Sequence, residues 1–311
     1  MRVYTDDIEY AGSLLPEKTT LKPLSAESEA DDLEPLLRRL FGSRPIFGGE
    51  TSNRSYWEYL FIVRHAPESH YDLVADMSRE NKPIPDKTLL IADSGDDFHG
   101  FKGRPWAGLS GNIHLVAYIS PNQAVDHVAV GFTVLAAVSV VQTVDMIESL
   151  RGRAGIKWVN DILVDRAKFS GVLSFSQAQG NLITGAAVGI GLNVETTPQI
   201  PPSDFVPVAG ALRQFDPESK IISTAMVFNN LIDKLADNIR LLLGGEYMNL
   251  LETYRERSVI VGRRVSIRND TDDAESNEIC SGRVESIDEN LQLHLKGRSQ
   301  PVSSGRLVLI F

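Results

Sequence analysis

Cysteine is nearly absent: Cys280 is the only one in 311 residues. One thiol closes no intramolecular disulfide and builds no Cys-rich metal site, and a reducing, cytoplasmic setting is the expectation. Positive charge is in deficit, with 31 Lys plus Arg against 41 Asp plus Glu and a formal net charge of -10. Duplex binding rests on Lys and Arg neutralising phosphates, so nucleic acid is not an expected partner. No basic second helix of a helix-turn-helix is visible either. Long apolar runs are missing. The most apolar stretch, Val128 to Val141, falls short of the ~20 residues of a spanning helix, and Asp126 and Asp145 bracket it. It reads as a buried core helix, with no membrane partner. The first residues lack an apolar stretch behind a basic start, so no secretory leader is expected. Common catalytic signatures are missing too. There is no Gly-x4-Gly-Lys-Ser/Thr loop and no Gly-x-Gly-x-x-Gly. Ser110 sits in Gly-Leu-Ser-Gly rather than Gly-x-Ser-x-Gly. The six histidines (65, 70, 99, 114, 127 and 294) contain no i,i+4 metal pair.

What is present is an ordinary globular mixture, 42 % hydrophobic and 23 % charged, long enough for two or three domains. Residues 1–45 are acidic and loop-rich. Within them Leu33, Leu36, Leu37 and Leu40 fall at helical spacing, which predicts a helix over 26–41 packed on the main body. Tyr59 to Val63 predicts a strand, Ser69 to Met77 a helix start, and Lys87 to Asp93 and Ile113 to Ser120 two more strands. Pro121 opens the apolar helix, predicted over 122–148. Gly155 to Asp165, Lys168 to Gln177 and Asn181 to Val194 read as three strands. Residues 218–256 read as one or two helices. From about Val259 four or five short strands suggest a small barrel.

Four stretches could carry chemistry. Gly100-Phe101-Lys102-Gly103-Arg104-Pro105-Trp106 lies between two strands; its glycines let backbone N–H groups approach an anion, and its cations could neutralise phosphate. Such a loop is more often a solvated turn. Lys157-Trp158-Val159-Asn160-Asp161 puts Lys and Asp four apart, on one face if the stretch is a single strand. A buried face bearing both needs a ligand or ion, whereas an exposed one is a surface ion pair. Lys168 precedes a strand containing Gly171. Gly189-Ile190-Gly191-Leu192-Asn193-Val194 follows a strand with no helix after it.

In that order and spacing, the four stretches resemble the catalytic core of biotin protein ligases, and Gly262 to Phe311 resembles the family's C-terminal SH3-like domain. The resemblance covers about 55–311. It implies an α+β fold, a mixed β-sheet with helices followed by a small SH3-like β-barrel. The expected division is an N-terminal extension (1–45), a biotin/lipoate ligase-like domain (46–257) and the SH3-like domain (258–311). The implied activity joins biotin to ATP as biotinyl-adenylate, then passes biotin to a lysine on a biotin carboxyl carrier domain or similar acceptor. ATP, Mg2+ and biotin are the implied small molecules, and a homodimer is among the assemblies it allows.

Carried over residue by residue, Lys168 matches the lysine that contacts biotin and phosphate. Lys157 opens the family's Lys-Trp-Pro-Asn-Asp motif, here with Val159 for the proline. Asn160 and Asp161 match the pair that places ATP and Mg2+, Asp161 also being a base or orienter for the incoming amine. His99, Gly100, Lys102, Gly103, Arg104, Trp106 and Asn193 fall on the nucleotide side. Ser69, His70, Gly171, Gly189 and Gly191 fall on the biotin side. Two departures stand out. Phe101 replaces an arginine that grips the adenylate, with Lys102 and Arg104 as stand-in cations. Glu68-Ser69-His70 replaces Ser-Thr-Asn and introduces His70 as a pH-sensitive contact, although Glu68 and Ser69 also suit a helix start. These departures keep two alternatives open: a ligase or transferase of lipoate or octanoate, and a non-catalytic ligand-binding homologue.

Overall fold

The structure is a computed structural model that describes all residues except 17–18, 25–32, 52–55, 219–221, 270–275 and 311. The first part of the helix predicted over 26–41 lies outside the described residues.

Period-two alternation of large apolar residues builds the centre. In β4 (Tyr59–Ala66), Leu60 and Ile62 face one core cluster while Phe61 and Val63 face another. β5 (Thr88–Gly95) repeats this with Leu89 and Ile91 against Leu90 and Ala92. A strand buried on both faces belongs in the middle of a layered sheet. Outward on one side lie β1 (Arg2–Thr5), β3 (Phe47–Glu50) and β2 (Lys22–Pro23). On the other side come β6 (Ile113–Ile119), β10 (Leu182–Leu192), β9 (Ala167–Gln179), β8 (Asp161–Val164) and β7 (Ala154–Lys157). β4 runs parallel to β1 and β5, and every other neighbouring pair is antiparallel. Residues 2–5, 22–23 and 47–50 are thus strands of the main sheet, with β1 between β3 and β4.

One face of the sheet carries α1 (Ile8–Leu14), α4 (Val128–Asp145), α5 (Thr224–Leu243) and α6 (Tyr247–Glu256). The other carries α2 (Glu34–Phe41) and α3 (His70–Arg79). α4 is apolar on nearly every side because the sheet, α5 and α6 all pack on it. Among the described residues it is the one helix long and apolar enough to cross a membrane, and two-thirds of it is buried inside the protein. It begins at Val128, not at 122. Asn122 and His127 both take positive φ, and Gln123 bridges Ile183 while its side chain donates to the Leu243 carbonyl. Those commitments hold the chain out of the helix until His127.

The stretch from Gly155 to Asp165 is not one strand but the β7–β8 hairpin, with a cis peptide between Trp158 and Val159. Its turn is held from outside: Trp158 Nε1 donates to the Leu291 carbonyl and Tyr254 Oη donates to the Val159 carbonyl. Beyond α6 a small antiparallel sheet, consistent with an SH3-like domain, contains β11 (Arg264–Arg268), β12 (Glu278–Ile287), β13 (Leu293–Leu295) and β14 (Arg306–Ile310). Its order is β13-β12-β11-β14. Val265, Ile267, Val284 and Leu293 join the main core cluster, so this unit is packed on the larger one.

Candidate active site

A cavity of about 530 Å3 opens on the α3 face of the sheet. Its floor is β9, β10 and the end of the β7–β8 hairpin. Its roof is the loop His99–Trp106, and the start of α3 closes one side.

The floor charges are set by strand register. Lys157 and Asp161 share a face as cross-strand partners in the hairpin, not as neighbours along one strand. A shift in register between Ile162 and Leu163 puts Lys168 opposite Leu163, and Lys168 Nζ reaches Asp161 Oδ1 at 2.7 Å. The Lys168 backbone is pinned on both sides, its N–H to the Val208 carbonyl and its carbonyl to Gly210 N–H. Burial alone would raise the Asp161 carboxyl, but Lys168 and Lys157 hold it below the usual carboxylate range. Lys157 is only 6 % exposed and donates to the Phe205 carbonyl. Burial lowers it to about 8, with Asp161 pulling the other way and Lys168, Arg306 and Arg104 adding to the fall.

The two strand glycines serve close approach. A Cβ at Gly191 would lie 2.4 Å from the Trp106 ring, and one at Gly189 would lie 2.9 Å from Tyr71. The indole and the phenol therefore stand directly on the β10 backbone. Gly171 faces the Lys168 side chain. Asn160 Nδ2 donates to the Val172 carbonyl, and Asn193 Nδ2 donates to the Gly210 carbonyl. Both asparagines line the cavity while tying its floor together.

The roof is held by its own backbone: Gly100 N–H donates to the Arg104 carbonyl and Trp106 N–H to the Phe98 carbonyl. Lys102 and Gly103 take positive φ, 59° and 74°. Phe101 is 44 % exposed, with Lys102 Nζ and the Arg104 guanidinium 5.6 and 5.8 Å from its ring centroid.

Ser69 caps α3, accepting from Asp72 N–H, and lines the cavity. Glu68 is exposed and faces Arg39. His70 is 4 % exposed. Burial, then His114 and Arg44, depress its pKa to about 3. It stays neutral through the physiological range, which corrects the expectation of a pH-sensitive contact.

The cavity thus collects fourteen of the sixteen residues expected from the sequence; Lys157 lies behind the floor, and Gly103 is the loop's turn. Sequence reasoning missed four. Tyr71 and His114 line the cavity from α3 and β6. Asp72 meets His99 from across the cleft, at 2.5 Å. Arg306 arrives from β14, its guanidinium 3.4 Å over the Phe205 ring. Only Asp72 left a sequence signal, as the fourth residue of Ser69-x-x-Asp72, and that signal reads as a helix cap.

Known proteins are similar to this chain in sequence and in fold. A model described as the biotin/lipoate A/B protein ligase family matches residues 99–193, the stretch carrying roof and floor. Over this stretch the chain is similar to the biotin/lipoate A/B protein ligase family. It is 32 % identical over 135 residues to "Bifunctional ligase/repressor BirA" of Bacillus subtilis, covering 43 % of this chain and 41 % of that protein. It is 30 % identical over 99 residues to "Biotin--[acetyl-CoA-carboxylase] ligase" of Paracoccus denitrificans, covering 32 % and 41 %. The chain therefore spans about two-fifths of the length of these curated relatives. Among solved structures, biotin protein ligase from Aquifex aeolicus in complex with biotin and ATP superposes with a TM-score of 0.62 at 17 % identity, over 82 % of this chain and 99 % of that one. The enzyme from Leishmania major in complex with biotinyl-5-AMP gives 0.52 at 15 % identity, over 81 % and 98 %. At these identities the likeness is one of fold, and the biotin protein ligase fold it is.

Proposed function

We propose that this protein ligates biotin to a lysine of a carrier protein through biotinyl-adenylate. The observation that carries the proposal is the position of Lys168 Nζ. It sits inside the cavity, bound to Asp161, on the floor beneath the cation-bearing roof. A carboxylate attacking a phosphate brings two anions together, and a fixed cation between them stabilises the charge of the transition state more than that of the separated reactants. A biotin carboxylate oxygen forms a bond to the α-phosphorus, the bond from that phosphorus to the bridging oxygen breaks, and pyrophosphate leaves. The acceptor lysine's neutral amine then attacks the acyl carbon; the C–N bond forms, the bond from that carbon to the AMP oxygen breaks, and AMP and the amine's proton leave. Lys102, Arg104 and Arg306 add positive potential on the phosphate side. Asp161 holds Lys168 in place; a carboxylate kept this acidic is a weak base, so it orients rather than deprotonates.

The donor set suits Mg2+ only as an ion carried by the nucleotide. Asp161 is the one carboxylate lining the cavity, and no cluster of three metal-binding side chains occurs among the described residues. Mg2+ commonly takes one or two protein carboxylates and fills its shell with phosphate oxygens and water. Bound so, beside Asp161 and Asn160, it would neutralise phosphate charge.

Biotin-dependent exchange of pyrophosphate into ATP tests the reading. The parent chain is expected to be active and Lys168→Ala to lose about 100-fold or more. Exchange driven equally by lipoate or octanoate, or none with any acid, would overturn it.

A further inference from the structure

α3 opens on Ser69-His70-Tyr71-Asp72, a pattern whose first and fourth residues often cap each other's backbone. Half of that arrangement is present, since Asp72 N–H donates to Ser69 Oγ at 3.4 Å. The Asp72 carboxylate turns elsewhere. Its Oδ2 lies 2.5 Å from His99 Nε2, at the first residue of the roof loop. The other ring nitrogen, His99 Nδ1, lies 3.0 Å from the Gly100 carbonyl oxygen. Carboxylate and carbonyl are both acceptors. A neutral imidazole has one N–H, so both contacts are hydrogen bonds only when the ring carries two protons.

We propose that Asp72 is a positioning residue that, through a His99 imidazolium, latches the entrance of the roof loop to α3, and that the latch weakens on deprotonation, when a neutral ring keeps only one of its two hydrogen bonds and the ion pair is gone. At its far end the loop is seated by Trp106 on Gly191. The latch sets the other end, so Lys102 and Arg104 are carried between two anchors. Burial pulls the His99 pKa down, but the Gly100 carbonyl and Asp72 outweigh it and the net displacement is upward. Latching is therefore strongest below the ordinary histidine value, and its charge-assisted part is lost as pH rises through the raised one. The neighbouring titratable groups stay silent in that window. Tyr71 of α3 is pushed up to about 12, while His70 and His114 are held neutral at about 3 and about 4. Lys102 and Arg104 are the cations of the loop itself.

The latch rests on the ligase reading only in what the loop is said to hold, so the primary test needs no substrate. The full chain is exposed to trypsin from pH 6 to 9, following the cut after Lys102. Parent and Asp72→Ala are compared at each pH, which cancels the protease's own pH dependence. The variant is expected to be cut about fivefold faster at pH 6, a modest factor for a charged hydrogen bond in a half-exposed position. The ratio is expected to approach one by pH 9. Asp72→Asn, which keeps an acceptor but no charge, is expected to lose the pH dependence, and Asp72→Glu to regain part of it. In the exchange assay Asp72→Ala is expected to raise KM for ATP at pH 6 by a similar factor with little change in kcat. A trypsin ratio of one throughout overturns the latch, and so does an elevated ratio that is flat with pH, which marks simple loosening. Absence of exchange in the parent overturns the ligase reading and leaves the trypsin ratios to decide the latch.

Discussion

The floor and the roof of the cleft hold charge by different means. On the floor, Lys157, Asp161 and Lys168 sit at defined registers of a hairpin and a long strand pair. Strand residues beside them in sequence, Ile162 and Phe169 among them, are fully buried. In the roof, Lys102 and Arg104 ride on a loop with two positive-φ residues and an exposed phenylalanine. A buried ammonium must be fixed by its surroundings, because an uncompensated one is costly and would rearrange or lose its proton. A loop cation needs no such fixing, and can turn toward a ligand as its loop moves. Permanent charge belongs on strands and recruitable charge on loops.

Forcing the two regions apart where they touch should break the site first. Gly191→Ala puts a methyl group 2.4 Å from the Trp106 ring, and a rigid indole cannot yield locally. Overpacking of this kind costs about 1–3 kcal/mol. If it falls on seating of the roof, biotin and ATP affinities by calorimetry drop about tenfold or more, with the sheet intact by circular dichroism. An unchanged affinity would show that the roof does not need Trp106 where it lies.

The next test separates activity from stability on the floor. Lys157 loses its proton near pH 8, below its unfolded value of 10.5. The burial penalty of its charge is therefore carried below pH 8 and is relieved between 8 and 10.5, where this group adds stability as pH rises. Exchange activity is expected to fall severalfold above pH 8 over the range in which this group's contribution to unfolding free energy grows. Lys157→Met should flatten both trends in pH profiles of rate and thermal midpoint. A rate fall that persists in the variant belongs to another group.

The smallest effect is expected at the rim. Glu68 lies 3.6 Å from Arg39, with both side chains substantially exposed. Glu68→Gln should change stability by less than about 0.5 kcal/mol and biotin affinity by less than about twofold. A larger change in affinity would move this position from helix entry to ligand contact.

How far the sequence revealed this contrast follows from the range of the interactions. The floor was legible because its residues are close in sequence: Lys157, Asp161, Lys168 and Gly171 keep a spacing that survives even though their stretch is a hairpin rather than one strand. The apolar pattern also exposed α4, but not its start, because the bridge from Gln123 to Ile183 and the positive φ of His127 are tertiary decisions. β1 and β3 are four residues each, too short for periodicity to register, and their pairing spans more than forty residues. Arg306 comes from the other end of the chain, and no local pattern marks a strand residue that will stack on Phe205.

α4 has a consequence at the ribosome. Its apolar surface is covered by β9, β10, α5 and α6, all of which are synthesised after it. At about 5–20 residues per second the last of these follows by roughly 5–20 s. Throughout that interval the nascent chain carries this apolar segment without the elements that cover it in the finished fold.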